Sequence, residues 1–238
     1  YVKLAAETGV ETGMRQVGSI SVALTAARHE ELLRQATVAR IFDVDVQEIS
    51  PLEAKAMYPH LEIGDVVGAV HLPLDGQCDP ANIAMALAKG ARMRGAEIYR
   101  FTPVTATIPQ PDGTWIVETP KGAIHTDWVI NAAGLWGREV AALAGIELPL
   151  MPTEHQYFVT ETIPEIAAMD RRLPSVADRD GEYYLRQEGK GLLVGAYEKA
   201  MKFWAEDGTP QGFGHELFAD DLEAAVGGGD VAVAGGAV

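Results

Sequence analysis

Cysteine is almost absent: Cys78 stands alone among 238 residues. No internal disulfide is therefore available, and the chain suits a reducing compartment. Positive charge is also scarce. Against 34 Asp and Glu there are 19 Lys and Arg, a formal net charge of −15, and the basic residues form no stripe. Nucleic acid and anionic membrane surfaces are excluded as expected partners, because both are held by clustered Lys and Arg. No apolar run approaches the ~20 residues that span a bilayer. The opening residues also lack a basic stretch followed by an apolar one, so no secretory signal is legible. The expected location is cytoplasmic. An organellar signal is left open, since the chain opens at Tyr1 without an initiator Met.

Glycine is plentiful, at 25 residues, yet no phosphate-binding glycine loop is formed. The stretch "DWVINAAGLWG" (127–137) runs from apolar residues into Asn-Ala-Ala-Gly, where small side chains let a ligand approach the backbone. Such a stretch usually accompanies G-x-G-x-x-G, which is missing. "GFGHEL" (212–217) has the first two glycines without the third, and G-x-x-x-x-G-K-[ST] is absent too. The expectation is that the loop lies upstream of Tyr1. The last stretch, "AAVGGGDVAVAGGAV" (224–238), is Ala, Val and Gly apart from Asp230. It has neither helical nor strand patterning and reads as a low-complexity tail. The chain is expected to be part of something longer.

What is present patterns clearly. The opening "YVKLAAETG" reads as the end of an amphipathic helix. "VGSISVAL" (17–24) alternates as a strand, and Thr25 caps a helix over 26–39. "SPLE" (50–53) is a capping box with Pro at the first helical position, predicting a short helix to about Met57. Residues 65–73 read as a strand. Asp79 caps the next helix, with Ile83, Leu87 and Ala91 on one face and Gly95 ending it; a short strand is expected over 96–101. "VTATI", "TWIVET" and "AIHT", joined by the turns "PDG" and "PKG", predict a small antiparallel meander. "DWVINAAG" suits a buried parallel strand, and "LWGREVAALAGI" restarts a helix. Beyond Leu148, "EHQYFVTE", "EYYLRQE" and "GLLVGAYE" alternate as strands of an antiparallel sheet.

The segments "LPLDGQCDPANIAMALAKGARMRGAEI", "VINAAGLWGREVAALAGI", "LPLMPTEHQYFVTE" and "LPSVADRDGEYYLRQEGKGLLVGAYE" resemble, in order and spacing, the dimethylglycine and sarcosine dehydrogenase group. These are flavoproteins of the D-amino-acid oxidase fold, and the resemblance spans about residues 1–222. It implies an α/β (α+β) fold in which a partial, Rossmann-like FAD-binding domain carrying the small meander is interleaved with an antiparallel-sheet substrate domain. The expected division is substrate-domain segments at 1–75 and 147–222, an FAD-domain segment at 76–146, and a tail at 223–238. The resemblance also implies FAD as cofactor and a small N-methylated glycine as substrate. Hydride passes to flavin N5, and an iminium is left for water, or for folate in the full-length parent, to take up.

Site residues follow from the same resemblance. Val104 matches a position whose backbone contacts the FAD adenine. Trp136 matches a flavin-contacting position, with Ala133 and Gly134 beside it offering bare backbone. His155 matches a histidine near the flavin face, and Tyr183 an active-site tyrosine. An imidazole and a phenol together can hold a tertiary amine and help keep it unprotonated, as hydride transfer requires. From the residues alone, each also reads as ordinary structure: a core-facing Val104, a turn at Gly134, a buried histidine and a core tyrosine. Arg186 reads as a salt-bridged surface residue or as a contact for a substrate carboxylate. His71, His125 and His215 lack ligand spacing, so no metal is expected. Three alternatives stand beside this reading: an inactive remnant of such an enzyme, an amine oxidase of the same fold with another substrate, and a small-molecule binding module that has dispensed with flavin.

Overall fold

A computed structural model describes residues 1–197, 201–214 and 216–219; His215 and the 223–238 tail lie outside the described residues. The chain runs α1 (Leu4–Thr8), β1 (Ser19–Ala23), α2 (Ala26–Ile41), β2 (Gln47–Ile49), α3 (Pro51–Met57), β3 (Gly68–Leu72) and α4 (Pro80–Met93). There follow β4 (Ala106–Pro109), β5 (Trp115–Thr119), β6 (Gly122–Thr126) and α5 (Gly137–Ala142). The last elements are β7 (Tyr157–Val159), α6 (Pro164–Ala167), β8 (Ser175–Asp178), β9 (Tyr183–Glu188) and β10 (Gly191–Ala196). Contacts group the described residues into two units, one from 1–95 and 155–197, the other from 96–154, 201–214 and 216–219. No helix among the described residues is long and apolar enough to cross a membrane.

The first unit is built on a seven-stranded sheet ordered β2-β3-β1-β8-β9-β10-β7. All its pairs are antiparallel except β1 with β8. The sheet is thus mixed rather than purely antiparallel, because the parallel β1–β8 pair joins the early and late segments of the chain. One face packs Ile20, Val22, Val176 and Leu185 against Tyr58, Leu61, Ile166 and Leu173. On the other, Ala23 and Val70 pack with Leu32 and Ala36 of α2 and with Val46. The local signals hold. Thr25 Oγ1 accepts from the Arg28 N–H (3.1 Å), Ser50 and Glu53 form the full capping box, and Asp79 Oδ1 accepts from the Asn82 N–H (2.8 Å).

Helix α4 differs in its buried face. Ile83, Ala86 and Gly90 are buried, whereas Leu87 is 47% exposed. The small residues face inward because α1 lies against α4: a methyl on Gly90 would already press on Thr8 Cγ2 at 3.3 Å.

In the second unit β4, β5 and β6 form the meander. The two flanking strands expected from sequence do not form. Residues 96–101 and 127–131 are irregular, with Trp128 82%, Ile130 86% and Phe101 86% exposed. A parallel strand needs neighbours to take its N–H and C=O groups. Among the described residues no strand pairs with either segment, so their β-propensity finds no outlet.

Candidate functional site

Strand pairing arranges the first unit's functional side chains, since directly opposed residues share a face and successive residues alternate. One row crosses the whole sheet: Glu48, Val70, Ser21, Ala177, Tyr184, Gly195 and Tyr157. Arg186, two residues beyond Tyr184, stands on the same face opposite Leu193. Tyr183 belongs to the opposite face with Leu185, which packs on the Tyr58 core.

Tyr183 and Tyr184 are therefore neighbours with different surroundings. Burial first, and then nearby Asp178 and Asp65, push the Tyr183 phenol up to about 12, with a hydrogen bond to Asp178 adding to the shift. Tyr58, 1% exposed, is likewise raised to about 12 by burial, with Tyr183 a lesser cause. Asp178 is buried, and its Oδ1 accepts from the N–H groups of Asp180 (2.9 Å) and Gly181 (2.8 Å). Asp180 in turn accepts from the Leu24 N–H (2.9 Å) and from Arg28 Nε (3.2 Å). Tyr183 thus braces the turn into β9.

His155 gathers on the Tyr184 side. Its ring stacks on Tyr197 at 5.5 Å and 23°, and Tyr197 meets Tyr184 at 5.6 Å and 51°. Of this aromatic group Tyr184 also lines a cleft of about 430 Å³ along α2, with Ser19, Ser21, Gln35, Ser175 and Arg186 among its other walls. Arg179 and Asp75 also line it. Arg186 is ion-paired with Glu188 at 3.2 Å, so the salt-bridged and the cleft-facing readings of this residue both describe it. The structure stacks His155 on Tyr197, which in turn meets Tyr184, while Tyr183 belongs to the other face of β9. Tyr184 and Tyr197 were not singled out from sequence. The β9 alternation could have flagged Tyr184, whereas Tyr197 gave no signal.

The second unit carries the other four residues. Gly134 (φ +55°) has no atom within 4 Å of where a Cβ would lie. It opens a 3-10 turn, Gly134–Trp136, that leads into α5. Asn131 fixes the approach: its Nδ2 donates to the Gly137 carbonyl (2.8 Å) and its Oδ1 accepts from the Ala133 N–H (3.1 Å). Trp136 Nε1 donates to the Pro210 carbonyl (3.0 Å), pinning the indole. Val104, 40% exposed, precedes β4. At the foot of α5, Glu139 accepts from the Thr209 N–H (2.7 Å). That backbone bond, with help from Arg138, holds the carboxyl at about 2. The result is a braced turn with open space above a bare backbone, which suits a flat cofactor better than a packed core residue would. A larger hollow of about 710 Å³ in this unit is walled by Ile146, Leu148, Leu150, Met151 and others, and none of the four residues lines it.

Among the described residues no three His, Cys, Asp or Glu side chains gather as a metal site.

Comparison with known proteins supplies what the geometry alone does not. A family model described as FAD dependent oxidoreductase matches residues 1–226. Dimethylglycine dehydrogenase, mitochondrial, of Mus musculus is 43% identical over 94% of this chain and 26% of its own length. Sarcosine dehydrogenase, mitochondrial, of Homo sapiens is 35% identical over 94% of the chain and 25% of its own length. Among solved structures, glycine oxidase from Geobacillus kaustophilus superposes with a TM-score of 0.66 at 26% identity, over 95% of this chain and 56% of that one. L-proline dehydrogenase from P. horikoshii gives 0.68 at 29%, over 82% and 51%. The chain spans about a quarter of the length of these curated relatives.

Proposed function

Since this chain belongs to the FAD dependent oxidoreductase family, we propose that the protein carrying it oxidises an N-methylated glycine of the dimethylglycine or sarcosine type. The observation that carries the reading is the 43% identity to a dimethylglycine dehydrogenase along nearly the whole chain. The β9–β10 face of the first unit takes the amine. His155 and Tyr184 hold its nitrogen, with Tyr197 buttressing both rings. Tyr183, carried over from the family resemblance as the active-site phenol, serves from the opposite face by bracing the turn at Asp178. Arg186, in the same cleft, meets the carboxylate. A lone pair on the unprotonated nitrogen is what allows hydride to leave the adjacent carbon, so an imidazole and a phenol suit the site better than a fixed carboxylate, which would favour the ammonium form.

The second unit receives the flavin, with Ala133 and Gly134 giving backbone access, Trp136 a pinned flat face, and Val104 a backbone contact to the adenine. FAD held there would supply a hydride acceptor for the amine carbon, and the oxidised substrate would be released as an iminium. Segments 1–75 and 147–222 act as the substrate domain and 76–146 as the FAD-domain segment in this reading. Folate as acceptor of the one-carbon unit is proposed for the longer protein on the resemblance alone. The sequence suits a cytoplasmic location, while the two mammalian dehydrogenases are mitochondrial by name. The organellar option is carried forward on that ground, and the single cysteine accords with either reducing compartment.

The test is a titration of the purified chain with FAD, followed by quenching of flavin fluorescence. Saturable quenching that weakens on Trp136→Ala is expected. Quenching that never saturates would remove this chain from the flavin site.

A further inference from the structure

Strand β10 reads Gly-Leu-Leu-Val-Gly-Ala, and Gly195 sits in its buried interior. Glycine inside a strand weakens it, through lost conformational freedom and a missing side chain, and often marks a close approach. Here the reason is not the backbone, for Gly195 is not among the glycines with positive φ. The reason is space. Gly195 is paired directly with Tyr184, and a Cβ at Gly195 would fall on Cζ, Cε1 and Oη of the Tyr184 ring, closer than any real Cβ comes. The phenol thus lies across β10 in the room that a side chain would fill. On its far side Gly195 faces Tyr157 of β7, and the Tyr184 ring meets Tyr197, which stacks on His155. The same ring lines the cleft.

We propose that Gly195 is a specificity-determining residue of this cleft: by having no side chain it seats the Tyr184 ring flat on β10, and so sets how large an amine the cleft accepts. The amine rests on the function proposed above; the seat does not. A methyl at Gly195 must lift the far end of the ring, because the backbone of β10 is held on both edges by β9 and β7. The lifted ring moves into the cleft that it lines or against Tyr197, and in either case the room around the Tyr184 phenol shrinks. A substituted nitrogen loses more by this than an unsubstituted one, since one methyl group's worth of room in a pocket changes affinity by about tenfold or more.

Two readouts on the full chain test this. In nuclear magnetic resonance spectra the Gly195 α-protons are displaced by the ring above them, and Tyr184→Ala abolishes the displacement. By calorimetry, Gly195→Ala weakens binding of N,N-dimethylglycine by about tenfold and of glycine by less. Adding Gly195→Ala to Tyr184→Ala then changes nothing, because the ring it would strike is gone. That double variant also guards against a Gly195→Ala protein that fails to fold. Unchanged binding of both ligands in Gly195→Ala overturns the proposal, as does an equal loss whether or not Tyr184 is present. Wild-type α-protons with no ring-dependent displacement overturn the seat itself. A wild type that shows the displacement but binds no amine ends the functional reading and the specificity role, and leaves only the seat.

Discussion

Two adjacent tyrosines on β9 show how much one residue of register decides. Tyr183 turns into the core beside Asp178 and Tyr58, and Tyr184 turns out beside Tyr197. Both buried phenols, Tyr58 and Tyr183, have folded values near 12 against about 10 when unfolded. Their neutral forms favour the folded state, so this contribution is present below pH ~10 and is lost as pH rises toward 12. In an alkaline titration read by tyrosinate absorbance, Tyr58 and Tyr183 should ionise last of the seven tyrosines, with Tyr99, raised by its hydrogen bond to Glu97, also later than a free phenol. Tyr183→Phe should remove one of the two that ionise near 12 and leave His155 stacked as before; an unchanged amplitude of ionisation near 12 in Tyr183→Phe would contradict the assignment. For catalysis, Tyr184→Phe should lower kcat/KM more than Tyr183→Phe does, and the reverse order would return the phenol role to Tyr183. Sequence could place a tyrosine pair on the strand beside His155. Which of the two faces the histidine depends on pairing with β8 and β10, and no local pattern records that register.

At the scale of elements, local signals were legible wherever a helix supplied its own cap. The capping box at Ser50 and Glu53 forms as the sequence requires, and Ser50→Ala should cost about 1 kcal/mol in a urea unfolding series. A loss near zero would mean that Pro51 and packing alone hold α3. The meander was equally legible, because "PDG" and "PKG" fix both turns between alternating strands. The expected strands at 96–101 and 127–134 were not, since an apolar run becomes a strand only when another strand meets it. The buried face of α4 departs from its apolar periodicity for a related reason: α1 packs closely enough to want Gly90 and Ala86, not Leu87. In α5, Glu139 is held near 2 by the Thr209 N–H. A lowered carboxylate stabilises the fold above its unfolded value of 4.5, and this is lost as pH falls from there toward 2. Stability of the second unit should therefore drop between pH ~5 and ~3 in the wild type and much less in Glu139→Gln. Equal slopes would contradict the assignment.

Across the whole molecule, fold class and family were readable because blocks spread over the chain keep their order and spacing. Matches over residues 1–226 and structural likeness to flavin-family oxidases agree on both. The proposed chemistry was less readable, since the side chains assigned to it come from beside β7, from β9 and from the end of β10, and the rest is assigned to a cofactor. The central claim is that the protein carrying this chain oxidises an N-methylated glycine through FAD. The most direct measurement mixes FAD-saturated protein with N,N-dimethylglycine, and separately with sarcosine, without oxygen, while the visible flavin band is recorded. The account predicts that the band bleaches with at least one of them, and that His155→Ala slows the bleaching by about a hundredfold. A fully flavin-loaded protein that keeps its colour with both amines would contradict it.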